Sequence, residues 1–185
     1  PDLFVEVYNS DLANTFGNSC SRVTNMIGKY FGGVLKPHAT NSDESLPQAT
    51  RLFELHINIT RNFPFGDRPI VEELGDCGIS MIQAVDRFIE ETVPFKLAKD
   101  ESKLEIVGAI LAHSLEGLRV ASVFLWPLLP DACEAFWQRI GCDYATQMAA
   151  NDGRGKLDEW VQWGKLEPGT HIEKGDALFP RYQPA

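Results

Sequence analysis

Asn14, Asn18, Arg22, Asn25 and Lys29 recur at steps of three and four residues, so a helix through residues 12–36 carries them in one stripe. Amide and guanidinium groups present donors and acceptors in pairs, and the edges of nucleobases are partners that use such pairs. Three asparagines in one stripe are costly for a helix that only needs to be soluble, because Glu, Lys and Gln have better helix propensity. Arg22, Lys29 and Lys36 are the only charged residues in 12–36, a local balance of +3 in a chain of formal net charge -9. That contrast suits an anionic or base-edge partner. The plain alternative is a solvated helix face with no partner.

A second candidate is Phe95, which follows Pro94 and precedes Lys96 and Lys99. An aromatic ring flanked by cations is a platform on which a base can stack, worth about 1–3 kcal/mol per base. The pattern of apolar residues alone instead favours a Phe95 folded inward. His113 and Glu116 stand at i, i+3 and resemble an acid–base pair. The periodicity puts Glu105, Glu116 and Arg119 on the outer side of a helix, where such pairs are surface decoration.

Other chemistry lacks the residues it needs. The chain contains no G-x-x-x-x-G-K-[ST], G-x-G-x-x-G, G-x-S-x-G or H-E-x-x-H, so no catalytic residue is assigned. The four cysteines, Cys20, Cys77, Cys133 and Cys142, form no C-x-x-C pair, and the four histidines lack ligand spacing, so no metal site is expected. The cysteines read as small buried hydrophobes of a reduced, cytoplasmic protein. A pI near 4.9 argues against a general DNA-binding surface. With no run of 18 apolar residues, a membrane span is not expected.

The elements that position these residues read as helices. In the first, Leu12, Phe16, Cys20, Val23, Ile27, Tyr30 and Val34 form the inward stripe opposite the asparagines, and Gly32 and Gly33 stop it. Asp43, Glu44 and Ser45 are available to start a second, with Ala49, Leu52, Phe53, Ile57 and Thr60 inward, and two prolines and a glycine in 62–69 mark a loop. A third runs from Ile70 to Thr92 and ends at Pro94, with Gly75 and Gly78 each costing about 1 kcal/mol relative to Ala. Leu104, Val107, Leu111, Ser114, Leu118, Ala121 and Leu125 make the stripe of a fourth. Pro130 opens a fifth, which Gly141 ends. Beyond it the glycines and prolines predict extended turns, pinned by Leu166, Ile172, Leu178 and Phe179. The expected fold is all-α, a helical bundle of about five helices over 1–141 with an extended C-terminal tail over 142–185.

Four blocks in this order, NSDLANTFGNSCSRVTNMIGKYFGG, ETVPFKLAKD, LEGLRVASVFLWPLLPDA and GTHIEKGDALFPR, resemble the C-terminal anticodon-binding domain of the methionyl-tRNA synthetases over nearly the whole chain. The resemblance implies that Asn18 and Arg22, at the Asn and Arg of a G-N-x-x-x-R element, read the CAU anticodon of tRNA-Met. It also implies that a base stacks at Pro94 and Phe95, where the family carries a Pro-Trp pair. Phe in place of Trp keeps a stacking face but loses area and the indole N–H. Asn14, Asn25 and Lys29 become secondary tRNA contacts. The resemblance further implies a fragment without cofactor of its own, not catalytic alone, in a parent ligase that uses ATP and methionine. Its partners would be the tRNA-Met anticodon stem-loop and the parent's catalytic domain, toward which the tail ending at Arg181 packs, leaving residues 178–181 partly exposed here. A sibling class I synthetase, or a helical protein-interaction module, remains as the alternative.

Overall fold

The computed structural model describes residues 15–38, 46–63 and 71–179. Five helices of ten residues or more form the bundle: α1 (Asn18–Phe31), α2 (Pro47–Asn62), α3 (Val71–Thr92), α5 (Leu104–Leu125) and α6 (Pro130–Arg139). Three short ones, α4 (Pro94–Leu97), α7 (Tyr144–Ala149) and α8 (Leu157–Trp160), connect or follow them. The all-α expectation holds: among the described residues the β-structure is one isolated bridge.

α1 ends earlier than the apolar stripe suggested, and Leu12, where the stripe starts, lies outside the described residues. A π-type turn over 15–17 leads into it, and Gly32, in the left-handed region at φ 61°, closes it by returning its amide to the Ile27 carbonyl. Phe16, Cys20, Val23 and Ile27 are buried as expected, but Val34 is 38% exposed because the helical period ends at Gly32 and it is Leu35, 1% exposed, that turns inward. α2 starts at Pro47, whose missing N–H costs nothing in a first turn. Asp43, Glu44 and Ser45 lie outside the described residues. Its buried face is Ala49, Leu52 and His56, so Phe53 and Ile57, expected inward, flank that face half-buried.

α5 organises the molecule. Every residue from Val107 to Leu125 is buried, because α1, α2, α3, α6 and the tail all pack against it. Its stretch Glu101–Leu125 is long and apolar enough to cross a membrane, yet 94% of the apolar window is covered by the bundle. Of the two glycines read as a cost, Gly78 is where α3 meets α5: a Cβ there would lie 2.5 Å from the Leu125 side chain, and one on Gly117 of α5 2.6 Å from Val85, whereas Gly75 has only Leu128, beyond α5, at 3.4 Å. Missing side chains let the two backbones close in.

Complete coverage of α5 overturns the expectation for Glu116 and Arg119. Both are fully buried, and they pair with each other at 2.7 Å. Arg119 also donates to the Tyr144 hydroxyl (2.6 Å), the Gln162 carbonyl (2.6 Å) and the Trp160 carbonyl. Glu116 accepts from the backbone amides of Gly164, Lys165 and Leu166 at 2.7, 3.0 and 3.3 Å. A buried pair survives when its remaining hydrogen-bonding capacity is used in this way. The one-stripe pattern failed here because α5 has no outer side from Val107 onward; Glu105, in its first turn, is exposed as expected. His113 is likewise buried, with its ring 5.2 Å from that of His38 and 6.2 Å from that of Trp163.

The tail is tied down at its far end as well. Leu35 donates to the Thr170 carbonyl (2.9 Å) and accepts from the Gly169 amide (2.8 Å), and Ile172 donates to the Gly33 carbonyl (2.7 Å). Leu166, Ile172 and Phe179 are buried and Leu178 is half-buried. The exposure expected at 178–181 is thus absent at Phe179, which packs toward Phe16 at 6.1 Å, while residues 180 and 181 lie outside the described region.

Candidate nucleic-acid interface

α1 is amphipathic in the sense the sequence required. Its inward residues Cys20, Val23 and Ile27 are 2%, 0% and 1% exposed, which leaves Asn18, Asn25 and Lys29 in solvent and Arg22 partly covered. Asn14 lies outside the described residues. Helical rise sets Asn18 and Arg22 one turn apart on one face, about 6 Å along the axis.

α3 brings a carboxylate near Arg22. Ser19, buried beside the polar stripe, donates its hydroxyl to Asp86 of α3 at 2.7 Å. Burial pushes the Asp86 carboxyl above its ordinary range, the Ser19 hydrogen bond and the charge of Arg22 oppose that shift, and Glu90 adds to it. The face that carried no carboxylate in its own sequence therefore has one supplied by the neighbouring helix. Nothing in the spacing of either helix announces this pairing, since Ser19 and Asp86 are 67 residues apart.

α3 delivers Pro94 and Phe95. After Thr92 the backbone turns at Val93, a non-glycine residue at φ 43°, and Pro94 opens the four-residue α4. A branched side chain in the left-handed region is strained, and the turn persists because packing holds both ends of it. Pro94 is buried while Phe95 is 42% exposed, one of the most exposed large apolar residues described. The inward Phe95 favoured by periodicity is not what forms: with Pro94 and Leu97 turned to the bundle, the ring points out. α1 and α4 both reach the N-terminal end of α5, where Phe31 borders Gly108 and α4 packs on the start of the helix. The C-terminal end of α1 and the exposed ring therefore both lie toward the start of α5, with Arg22 and Asn18 about 14 and 20 Å further back along α1.

Elsewhere the described residues offer little reactive chemistry. Among them no group of three or more His, Cys, Asp and Glu side chains is placed to hold a metal ion. All four cysteines are free; burial pushes the Cys142 thiol up to about 11 and the Cys20 and Cys133 thiols higher than their usual value as well. Neutral thiols of this kind are poor nucleophiles.

No family model matches the chain. A methionine–tRNA ligase of Streptomyces coelicolor is 36% identical over 183 residues, covering 95% of this chain and 32% of its own length. One from Halalkalibacterium halodurans is 32% identical over 185 residues, covering 98% and 26%. This chain is a relative of the methionine–tRNA ligases. It spans about a third or less of the length of those relatives. The fold agrees: the apo form of Mycobacterium tuberculosis methionyl-tRNA synthetase superposes with a TM-score of 0.75 at 22% identity, over 98% of this chain and 34% of that one.

Proposed function

We propose that this methionine–tRNA ligase segment is the C-terminal anticodon-binding domain and that it reads the CAU anticodon of tRNA-Met. The observation that carries the reading is the exposed Asn18 and partly covered Arg22 on α1, which is tied to α3 at Asp86, together with the exposed Phe95 ring that follows the end of α3. Arg22 and Asn18 take base edges, for which paired donors and acceptors discriminate by about 1–3 kcal/mol per contact. Phe95, backed by the buried Pro94, stacks an unpaired loop base, and such splayed bases are the part of an RNA hairpin that side chains can read. Asn25 and Lys29 extend the contact along α1, and Asn14 precedes it.

Residues 1–141 form the recognition bundle and 142–185 the extension that steadies it and leads toward the catalytic domain. Chemistry on ATP and methionine belongs to that domain of the cytoplasmic parent enzyme, and this segment contributes the choice of tRNA.

The test is binding of this chain, at a stated low salt, to an anticodon stem-loop carrying CAU and to the same hairpin with its first anticodon base changed. The expected result is a preference for CAU that Arg22→Ala abolishes. Equal affinities of the unsubstituted chain for the two hairpins would defeat the reading and favour a helical module that binds protein.

A further inference from the structure

Beyond the C-terminal end of α1 the surface opens into a cleft of about 770 Å³, walled by Phe31, Leu104, Ile106 and Ala109 and flanked by Lys36 and Lys103. We infer that this cleft is a second RNA contact, which grips a sugar–phosphate unit of the same anticodon arm outside the anticodon itself. The inference rests on the proposed function for its choice of partner.

Lys36 is not a free surface lysine. Its neighbour Leu35 is clamped to the tail by the two hydrogen bonds at Thr170 and Gly169. Its stem fills the notch left by Gly108, where a Cβ would come within 2.8 Å of the Lys36 Cβ and 2.9 Å of its Cγ. Its ammonium sits over the Phe31 ring, 5.4 Å from the centroid. A cation held in one place loses less entropy when it meets a phosphate than one that must be ordered first. Lys103, across the cleft, has its charge half in solvent and is drawn to Asp100 at 3.7 Å, while Asp100 is engaged by the Ser102 amide and hydroxyl. Glu105 is the one carboxylate among the lining residues, so the lining itself sums to +1, and with Lys103 offset by Asp100 the cation that faces a ligand is Lys36.

The apolar walls suit a ribose or a base edge, and the Lys36 ammonium suits a phosphodiester; inorganic anions would leave the apolar wall unused. The cleft lies beyond the end of the proposed reading stripe: Phe31 stands roughly 160° around α1 from Asn18 and Arg22, with exposed Lys29 between them along the axis. Asn18 to Phe31 spans about 20 Å along the axis, so the same bound hairpin meets the cleft with a different part of its strand.

A phosphate contact and a base contact leave different signatures. Affinity of this chain for the CAU hairpin and for the hairpin with a changed first base is measured across a series of KCl concentrations, for the parent, Lys36→Ala, Lys36→Arg and Gly108→Ala. Lys36→Ala is expected to weaken both hairpins by the same factor, about threefold or more, and to flatten the slope of log K against log salt by about 0.7–0.9. The CAU preference stays, Lys36→Arg restores most of the slope, and Gly108→Ala reproduces part of the loss by displacing the Lys36 stem. An unchanged slope and affinity in Lys36→Ala, with the CAU preference intact, overturns the cleft and leaves the proposed function standing. A Lys36→Ala effect on hairpins that the parent does not distinguish keeps the cleft and removes the anticodon reading. No binding to either hairpin at low salt overturns both.

Discussion

Phe95 is the residue at which sequence pattern and structure part most usefully. Alternation of apolar residues around it argues for the interior, yet the strained turn at Val93 seats Pro94 in the bundle and turns the next ring into solvent. Phe95→Ala is expected to weaken hairpin binding by about 1–3 kcal/mol and to leave the melting temperature nearly unchanged, since a ring in solvent contributes little packing. Fluorescence anisotropy titrations beside thermal melts separate the two. Phe95→Trp is expected to tighten binding, because the larger ring adds stacking area. A Phe95→Ala chain that binds as well as the parent would remove the ring from the interface.

At the scale of elements, the contact between α3 and α5 depends on positions where a side chain is absent. Gly78 faces the Leu125 side chain and the Ala121 carbonyl, and a methyl group added there would stand 3.2 Å from that carbonyl oxygen, so there is no room to accept one. Gly78→Ala is therefore expected to destabilise the chain by about 1–3 kcal/mol through overpacking, despite the gain in helix propensity. Gly28 on α1 is the control: it is exposed, helical and has nothing within 4 Å of its would-be Cβ. Gly28→Ala is expected to stabilise by about 0.5–1 kcal/mol. Urea denaturation of both variants checks the opposite signs, and a neutral Gly78→Ala would show that the two helices can move apart without penalty.

The whole molecule is held by a polar centre as well as by its apolar core. Burial acts to raise the Glu116 carboxyl, and the Arg119 guanidinium with the amides of the returning tail outweighs it, so the group is held below the usual carboxylate range. Its contribution is complete above the unfolded-state value of 4.5 and disappears as pH falls through the lower folded value. His38 and His56 shift below 6.5 because burial disfavours their charged form. The unfolded chain then takes up protons that the folded chain resists, so stability begins to fall as pH drops below 6.5, well before the carboxylate responds. Denaturant midpoints measured from pH 8 downward are expected to stay flat to about pH 7 and then decline, with His56→Gln showing a smaller decline. Glu116→Gln is expected to cost about 3–5 kcal/mol at neutral pH, since it leaves the Arg119 charge buried without its counter-ion. A midpoint for Glu116→Gln equal to that of the parent would mean that the pair holds nothing.

The helical class, the stop at Gly32 and Gly33 and the amide stripe through Asn18 and Arg22 were legible in the chain, because each is a local consequence of periodicity, φ preference or side-chain chemistry within a few turns. The residues of the proposed interface were legible too, but not how they meet. The enclosure of α5 from Val107 onward came from packing, and it turned Glu116 and Arg119 from a surface pair into the anchor of the tail. The same is true of Asp86 beside Arg22, of Phe95 turned outward and of Lys36 pinned over Gly108. These depend on which helices lie next to one another. That is settled by packing between residues tens of positions apart, and a helical period within one element carries no record of it.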